Sequence, residues 1–321
     1  MPTHRSARPL RYAPRVVVLG DLVLDVVLAP AERLETGTDV SGRVALCQGG
    51  SAANTARWLG RLGARTLLIS TVGRDASGRA LVAAVRSDGV VVRAARVPGR
   101  RTGRIGVLVD ADGERSFVTD RGAADALAPA DLRAAWFKRA DLLHLPAYSL
   151  IGEPLGTAAQ EAIRLARAAG ALVSIDLASV GPLLRGGRQA ALALIGGSAP
   201  DLLFATTAEL DGLVGSDGPS SDRALELAPV VVVKRGSQGA TVLIRADGST
   251  AALQFDVPTR PLAVVDSTGA GDAFDAGFIA EWLASRADGR VANIALRRGV
   301  LAGHRIAARQ VSAPRPELRL G

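Results

Sequence analysis

The stretch Val265-Asp266-Ser267-Thr268-Gly269-Ala270-Gly271-Asp272 places a glycine-rich turn and a carboxylate directly before an apolar run. That run, over 273–283, predicts a buried helix that begins at this turn. The first turn of a helix presents unpaired N–H groups and the positive end of the helix dipole, which together bind phosphate. Gly269 and Gly271 let the backbone fold closely around a bulky anion. The stretch therefore predicts a phosphoryl-transfer site in which Asp272 takes a proton from a hydroxyl nucleophile.

Strand and helix patterns alternate along most of the chain. Apolar runs predict strands at 15–20, 65–72, 141–145, 171–176, 201–205 and 230–234, and a hairpin at 240–244 and 250–253 that turns at 246–248. Helical patterns occur at 49–63, 77–86, 131–139, 154–169, 183–195, 207–214, 222–227 and 291–309. This alternation is typical of βαβ units, and it predicts a parallel sheet with helices on its faces.

A second kind of pattern interrupts this alternation. Short strand-like runs at 90–97, 104–110 and 114–119 follow one another, and Asp112-Gly113 between the last two is a strong hairpin signal. With the runs at 26–28 and 44–46 they predict a small antiparallel sheet apart from the main one. Such a sheet is expected to act as a lid.

Two further motifs carry polar side chains at glycine turns. Gly49-Gly50-Ser51-Ala52-Ala53-Asn54-Thr55-Ala56 lets the backbone approach a ligand and directs the amide of Asn54 at sugar hydroxyls, although an ordinary glycine turn with a polar cap is an equal alternative. Asp21 and Asp25 follow the first strand, where the carboxyl ends of an open α/β sheet face the ligand crevice. A buried carboxylate that faces a diol there gains charge-assisted hydrogen bonds. Asp21 either contacts the substrate or caps a turn.

The motifs at 49–56 and 265–272 resemble the two signatures of the PfkB carbohydrate kinase family, the ribokinase-like kinases. The resemblance spans about 15–315. It implies an α/β fold, a ribokinase-like three-layer sandwich with a central, mostly parallel sheet of eight or nine strands and a small β-sheet lid. We expect one kinase domain over 1–321, a lid formed by about 26–46 and 90–120, and a basic tail at 1–13.

The resemblance also implies roles for individual residues. Catalysis is expected from Asp272 with the backbone of Gly269, Ala270 and Gly271. The acceptor site is expected to contain Asp25, Asp21, Gly49, Gly50, Asn54 and Arg104, and the ATP site Lys234, Gly236, Gly239 and Thr268. The turn at 234–239 is at the same time a simple hairpin turn.

The family's N-x-x-E motif implies a magnesium site organised through water by Glu209, with Asp176 nearby. Thr206 replaces the asparagine of that motif, so the hydrogen bonds around Glu209 must differ, and Asp176 is equally well explained as a strand-end cap. In some members the positions of Asp266 and Thr268 lie near a monovalent cation such as K⁺. The sequence leaves open whether this holds here.

The acceptor is where the chain departs from the ribokinase pattern. Val23 replaces the asparagine of ribokinases and Pro146 replaces their glutamate, and both replacements disfavour ribose as the acceptor. A nucleoside fits Val23 better. A hexose or a deoxy-keto sugar acid is an alternative acceptor. Arg101, Arg104 and Arg121 either bind a carboxylate or phosphate of the substrate or are solvated. The chain is thus expected to be an ATP-dependent kinase of a sugar or nucleoside hydroxyl, the alternatives being a kinase of a sugar acid or sugar phosphate and a non-catalytic regulator on the same fold.

The amino-acid composition limits the classes of partner that the protein can bind. The chain has 321 residues, of which 48% are hydrophobic, and 39 basic against 31 acidic residues give a net charge of +8. Scattered arginines and an aromatic content of 3% argue against nucleic-acid binding. The single cysteine, Cys47, excludes an intramolecular disulfide, and no apolar run has the length of a membrane span. We expect a cytoplasmic protein without membrane or nucleic-acid partners; the family resemblance makes a homodimer through the lid possible.

Overall fold

The computed structural model describes residues 12–110, 115–215, 220–245 and 253–320. Its strands, in chain order, are β1 (Arg15–Leu19), β2 (Val23–Pro30), β3 (Gly42–Gly49), β4 (Arg65–Gly73), β5 (Val91–Val97), β6 (Thr102–Val109), β7 (Arg115–Gly122), β8 (Leu142–Pro146), β9 (Leu172–Asp176), β10 (Leu202–Thr206), β11 (Val230–Lys234), β12 (Ala240–Ile244) and β13 (Leu253–Val257). Its helices are α1 (Ser51–Arg61), α2 (Ala76–Ser87), α3 (Leu155–Ala168), α4 (Val180–Leu184), α5 (Arg188–Gly197), α6 (Thr207–Val214), α7 (Ser220–Leu227), α8 (Ala270–Ala287) and α9 (Ala292–Val311).

The main sheet contains nine strands within the described residues, in the order β13-β12-β11-β10-β9-β8-β1-β4-β5. The strands from β11 to β5 pair in parallel, and β12 and β13 add an antiparallel edge. The parallel strands are nearly continuous runs of Val and Leu because helices cover both faces of the sheet. This confirms the predicted number of strands and their mostly parallel arrangement.

Two hydrophobic layers form on opposite faces of this sheet. Successive residues of a strand point to opposite faces, so Val17 packs in the layer with α3, α5, α6 and α7, while Val18 packs in the layer with α1, α2, α8 and α9. Phe278 of α8 is fully buried in the second layer and lies edge-on to Phe204 of β10. The predicted three-layer sandwich is therefore confirmed.

The small sheet contains β3-β2-β6-β7 in that order. Its β2–β3 and β6–β7 pairs are antiparallel, but β2 and β6 run parallel, so the prediction of a purely antiparallel sheet was wrong. The run at 90–97, predicted to belong to this lid, is β5 at the edge of the main sheet, where Leu67 pairs with Val91. Burial of Val90 and Val92 against α2 explains the difference, because β4, α2 and β5 form one βαβ unit. The Asp112-Gly113 turn lies outside the described residues.

Three other predicted elements differ or fall partly outside the described residues. The region 131–139, predicted as a helix, forms short 3-10 turns at Pro129–Asp131 and Ala134–Trp136 around the buried ring of Phe137. The helix predicted at 183–195 is divided into α4 and α5, because Gly187 adopts a positive φ of 91° that interrupts the helix. The second strand of the hairpin begins at Leu253, after the undescribed residues 246–252, and most of the basic tail also lies outside the description.

None of the described helices is both long enough and apolar enough to cross a bilayer.

Candidate active site

A cavity of about 910 Å³ lies between the carboxyl ends of the main-sheet strands and one face of the small sheet. The ends of β9, β10 and β11 contribute Asp176, Thr206 and Lys234 to its wall. Alternate residues of β7 (Arg115, Phe117, Thr119 and Arg121) form the opposing wall. The sequence-predicted residues that line it are Asp21, Asp25, Gly50, Asn54, Asp176, Glu209, Lys234 and 268–272. Motifs more than 200 residues apart in the sequence thus meet at one site.

The backbone turn at 266–271, just before and at the start of α8, has the geometry expected for anion binding and is named the anion turn. Gly269 is the N-cap of α8 and adopts a left-handed φ of 74°, which a side chain would strain. The N–H of Ala270 already donates to the carbonyl of Ser267 (3.2 Å). Among the contacts of the described residues, the N–H groups of Gly269 and Gly271 have no acceptor. These two groups, more than that of Ala270, are available to an anion in the cavity.

Asp272, in the first turn of α8, is nearly buried and is held by α1. Ser51 Oγ donates to its Oδ1 at 2.6 Å, and Asn54 Nδ2 donates to its Oδ2 at 2.8 Å. Burial raises the pKa of Asp272 to about 7, against the lowering effect of the hydrogen bonds from Ser51 and Asn54. The carboxyl group is therefore poised between acid and base near neutral pH. Asn54, predicted to contact the acceptor, lines the cavity but has its amide engaged with Asp272.

Beneath the anion turn lies a buried ionic cluster. Lys234 Nζ donates to Asp176 Oδ1 at 2.9 Å and lies 3.3 Å from Asp275 Oδ1. Burial lowers the pKa of Lys234, but the carboxylates of Asp176 and Asp275 raise it by more, so the ammonium group stays charged. Burial also raises the pKa of Asp275 well above its ordinary value. A Cβ atom at Gly271 would be 3.3 Å from Lys234 Nζ, so this positive charge lies directly under the anion turn.

The turn predicted to hold the nucleotide gives only Lys234 to the cavity. Gly236 is exposed in the 3-10 turn between β11 and β12. Gly239 is buried, and a Cβ atom there would lie 2.2 Å from the carbonyl of Val257. The structure therefore gives both glycines a role in the turn and does not bring them to the cavity wall.

Glu209 is fixed by a capping box at the start of α6. The backbone N–H of Thr206 donates to Glu209 Oε2 at 2.8 Å, and the N–H of Glu209 donates to Thr206 Oγ1 at 3.2 Å. Thr206, which replaces the asparagine of the family motif, thus orients the glutamate toward the cavity.

The carboxylates of Asp176 and Glu209 are the oxygen donors that Mg²⁺ prefers. Within the described residues, no group of three or more His, Cys, Asp or Glu side chains is arranged to hold a metal ion. The donor set therefore fits an Mg²⁺ ion that is held mainly by phosphate oxygens and water, with Asp176 and Glu209 as partners.

Asp21 and Asp25 are both buried at the acceptor end. Tyr148 OH donates to Asp21 Oδ1 at 2.8 Å, and the Ala52 N–H donates to the same oxygen at 3.3 Å. Burial raises the pKa of Tyr148 well above its ordinary value, so the phenol keeps the proton that it donates. Asp21 thus caps α1 and also faces the cavity, which joins the two alternatives left by the sequence. Gly49 is not in the cavity wall, but its missing side chain makes room for Asp25, whose Oδ1 would lie 1.9 Å from a Cβ atom there.

Asp25 has an unexpected partner in the C-terminal segment. Arg315 Nη1 donates to Asp25 Oδ2 at 2.5 Å, and Arg315 Nε donates to Asp266 Oδ2 at 3.2 Å. Burial raises the pKa of Asp25, and the positive charge of Arg315 partly offsets this rise.

Of the three arginines named from the sequence, Arg121 lines the cavity, and so does Arg115, which was not named. Arg104 is exposed and does not line the cavity, and Arg101 is exposed as well. Arg121 faces the cavity, bonds Asp125 at 2.5 Å and lies 4.8 Å from the ring centre of Tyr148. Arg115 reaches across the cavity to the anion turn, where it donates to Thr268 Oγ1 at 2.9 Å and also bonds Ser267. Thr268, predicted to bind the nucleotide, is therefore a contact point between the small sheet and the turn.

Two departures from the ribokinase pattern lie behind the cavity wall. Val23 is fully buried against Gly103, where a Cβ atom would lie 2.8 Å from Val23 Cγ1, and Pro146 is buried at the end of β8. The apolar groups that face the acceptor end are Ile105, Phe117 and Ile151. Residues other than Val23 thus form the apolar part of the cavity wall.

Sequence reasoning missed five polar residues of this site, namely Ser51 as a donor to Asp272, Arg115, Tyr148, Asp275 and Arg315. Asp275 carried a signal, because a carboxylate in an otherwise apolar helix, one turn after Asp272, needs a buried partner. Tyr148 and Arg315 carried none, since their partners are 127 and 290 residues away.

Comparisons with known proteins bear on the family and the fold. The family model described as pfkB family carbohydrate kinase matches residues 13–316. A fructokinase-1 of Zea mays is 34% identical, over 81% of this chain and 80% of its own. An ATP-dependent ribose-1-phosphate kinase of Halopiger xanaduensis is 36% identical, over 94% of this chain and 95% of its own.

Solved structures share the fold at lower identity. The adenosine kinase from Sinorhizobium meliloti superposes with a TM-score of 0.81 at 23% identity, covering 96% of this chain and 98% of its own. A putative ribokinase II from E. coli, solved with ATP and Mg²⁺, superposes with a TM-score of 0.77 at 24% identity, covering 94% of each chain.

Proposed function

The chain belongs to the pfkB family of carbohydrate kinases and is a phosphotransferase acting on a sugar hydroxyl, and on this premise we propose how its residues divide the reaction. The acceptor hydroxyl, a primary CH₂OH, lies between Asp25 and Asp272. Asp272 accepts its proton as it attacks the γ-phosphoryl group of ATP. The observation that carries this proposal is the position of Asp272, a nearly buried carboxylate beside the anion turn in the same cavity as Asp25.

The anion turn stabilises the charge that develops on the transferred phosphoryl group. The free N–H groups of Gly269 and Gly271 point toward the proposed position of this phosphoryl group. The positive end of the dipole of the 18-residue helix α8 lies at the same position. Lys234 adds a buried ammonium under the turn. Positioning and electrostatics are the main contributions an enzyme makes to phosphoryl transfer, so these groups are expected to matter as much as the base.

We propose ATP as the donor and Mg²⁺ as the metal; a relative by fold is solved with both. Asp176 and Glu209 would organise the metal through water, and the metal would supply positive charge against the phosphates. The chain's own part is to hold both carboxylates in place, Asp176 by its ion pair with Lys234 and Glu209 by its capping box.

A neutral sugar or nucleoside is the acceptor that the charges favour. The buried carboxylates of Asp21 and Asp25 face the acceptor end and can accept hydrogen bonds from hydroxyl groups. They would repel an anion in the same place. The arginines that face the cavity are engaged, since Arg115 bonds the anion turn and Arg121 bonds Asp125. Ile105 and Phe117 add an apolar wall suited to a sugar ring or a base.

One observation favours a second candidate, a sugar phosphate or sugar acid. The Nη2 atom of Arg121 is buried and has no hydrogen-bond partner among the described residues. Such a group suits an anionic oxygen of the substrate. The relative that is 36% identical is named for ribose 1-phosphate, which agrees with this alternative.

An acceptor panel tests the proposal. The purified protein is mixed with ATP and Mg²⁺ and with hexoses, pentoses, ribonucleosides, sugar acids and sugar phosphates, and phosphorylated product is measured directly. We expect transfer to a neutral sugar or nucleoside, and little change in its KM when Arg121 is replaced by Gln. Transfer only to anionic acceptors, with a KM that rises about tenfold or more in Arg121→Gln, would select the second candidate.

The same panel separates an enzyme from a non-catalytic regulator. An acceptor that raises the melting temperature by mass action but is never phosphorylated would overturn the kinase proposal. Product formation that requires Asp272 supports it.

We further propose that the protein acts in the cytoplasm, where its donor ATP is abundant, and that it has no nucleic-acid or membrane partner. The scattered distribution of its arginines supports this. A homodimer through the small sheet is proposed from the exposed apolar side chain of Val118 in β7.

A further inference from the structure

Asp266 is surrounded by positive charge from two distant parts of the chain. Its Oδ1 accepts from the backbone N–H of Thr268 at 2.9 Å and lies 3.3 Å from Nη1 of Arg115. Its Oδ2 accepts from Arg315 Nε at 3.2 Å. Both oxygens of this carboxylate are therefore bonded to donors that the protein itself supplies.

Arg315 joins this carboxylate to the acceptor end of the site. While its Nε bonds Asp266, its Nη1 bonds Asp25 Oδ2 at 2.5 Å, and its side chain is only 8% exposed. One guanidinium group thus neutralises a residue of the anion turn and a residue of β2 at the same time. Its planar fork fixes the distance between them, as a spherical ion cannot.

The segment that carries Arg315 is fixed to the small sheet. The Leu318 N–H donates to the Leu46 carbonyl at 2.7 Å, and Glu317 forms an isolated antiparallel bridge with Cys47. The segment therefore continues the small sheet beyond β3. Arg315 is held in register with Asp25, because Asp25 and Cys47 are paired residues of β2 and β3.

We infer that Arg315 takes the place of a monovalent cation in this protein and positions Asp25 and Asp266. In some members of the family a cation lies near the positions of Asp266 and Thr268. The residues here do not fit that ion, because Arg115 and Arg315 already bond the Asp266 oxygens and would repel a further positive charge. The kinase is then independent of K⁺. The kinetic tests of this inference rest on the proposed function, whereas the thermal-unfolding test does not.

The charge of Arg315 is needed because the carboxylate of Asp25 is buried. Asp25 is 5% exposed, and burial raises its pKa, which Arg315 partly counters. Without Arg315, Asp25 would hold its proton more often and accept hydrogen bonds from the acceptor less well. A small cation could then enter and restore part of the lost charge.

The wild-type protein gives the first test. Thermal unfolding and kinase activity are measured in KCl, NaCl and choline chloride at equal ionic strength. We expect equal melting temperatures in the three salts, and kcat/KM values that differ by less than about twofold. A melting temperature that rises with K⁺ alone would overturn the inference whether or not an acceptor has been identified, since this arm needs no turnover.

Variants of Arg315 give the second test. Arg315→Met is expected to lose about 10–100-fold in kcat/KM, as positioning residues commonly do, and to regain part of it with K⁺ or guanidinium chloride. Arg315→Lys keeps the charge but not the planar fork, so it should keep part of the activity and remain indifferent to K⁺. Arg319→Gln, an exposed arginine of the same segment, is the matched control and should behave as wild type.

The inference is overturned if Arg315→Met melts normally but is impaired in activity and gains nothing from either cation, because Arg315 would then have a different role. If Arg315→Met does not fold, Arg315→Lys decides: K⁺ activation of that variant contradicts the inference, and cation independence supports it.

Discussion

Asp272 has a pKa set by opposing effects, which makes the replacement of this one carboxyl group informative. Burial raises the pKa from 3.8 to about 7. A raised carboxyl pKa adds stability below the unfolded-state value, and that stability is lost as the pH rises through about 7. Above that pH the ionised group costs roughly 4 kcal/mol, at 1.36 kcal/mol for each pKa unit. The buried base thus favours catalysis and opposes folding.

Asp272→Asn tests both consequences. Turnover should fall by about 10²–10⁴-fold, because the variant has no base, while nucleotide binding remains. Asparagine does not ionise, so the variant should melt higher than wild type at pH 8, with a smaller difference at pH 5. Steady-state kinetics, nucleotide titration and thermal unfolding at the two pH values measure this. Near-normal phosphorylation by the variant would contradict the role of Asp272.

The pH dependence of the wild type tests the hydrogen bond from Ser51. We expect kcat/KM to rise with pH, with a midpoint near 7, as Asp272 loses its proton. Ser51→Ala removes a donor that lowers this pKa, so its midpoint should lie at higher pH. Thr55→Val is the matched control, because Thr55 Oγ1 contacts the backbone carbonyl of Asp272 and not its carboxylate. Equal midpoints in wild type and Ser51→Ala would refute this account of the pKa.

At the scale of elements, strand β7 links the small sheet to the anion turn. Arg115 at its start bonds Ser267 and Thr268, and Arg121 near its end approaches Asp21, with 3.8 Å between Nη1 and Oδ2. The small sheet therefore closes over the cavity through side chains of one strand. We propose that the small sheet acts as a lid, which would exclude water from the donor phosphate.

Arg115→Gln should loosen this closure. We expect acceptor binding to weaken by about tenfold, the equivalent of losing one charge-assisted hydrogen bond, and ATP hydrolysis without acceptor to rise relative to transfer. Both rates are measured in one coupled assay for ADP and phosphorylated product. Arg93→Gln, an exposed arginine of β5, is the control. A slow, unchanged hydrolysis rate in Arg115→Gln would argue against a closing lid.

For the whole molecule, the exposed edge of the small sheet bears on assembly. The C-terminal segment covers part of β3, but no strand among the described residues pairs with the outer edge of β7. Val118 of β7 points away from the cavity, which its neighbours Phe117 and Thr119 line, and it is 77% exposed. An uncovered edge strand with apolar side chains is a surface where two copies can pair.

We therefore expect a homodimer that Val118→Lys converts to a monomer, because burying an unpaired lysine at such an interface is unfavourable. Light scattering after size-exclusion chromatography gives the mass of each form. Val91→Lys, at an exposed position on the edge strand of the main sheet, should leave the dimer intact. A monomeric wild type would contradict the prediction.

The sequence by itself determined the features that depend on neighbouring residues. The six predicted parallel strands, β1, β4, β8, β9, β10 and β11, follow from local hydrophobic periods. The anion turn with Asp272 follows from glycines and a helix start within eight residues. The motif at 49–56 identified Asn54 for the same reason. Backbone propensity and turn chemistry act over a few residues, so a single sequence records them.

Only the tertiary structure decided which side chains meet. Arg315 lies 290 residues from Asp25 along the chain, and Tyr148 lies 127 residues from Asp21. The sequence around an arginine of the small sheet also does not show which way it faces: Arg104 faces solvent, whereas Arg115 faces the cavity. The placement of β5 in the main sheet likewise depended on burial against α2. Contacts between distant segments are set by packing, register and charge compensation in the folded chain, and no local pattern records them.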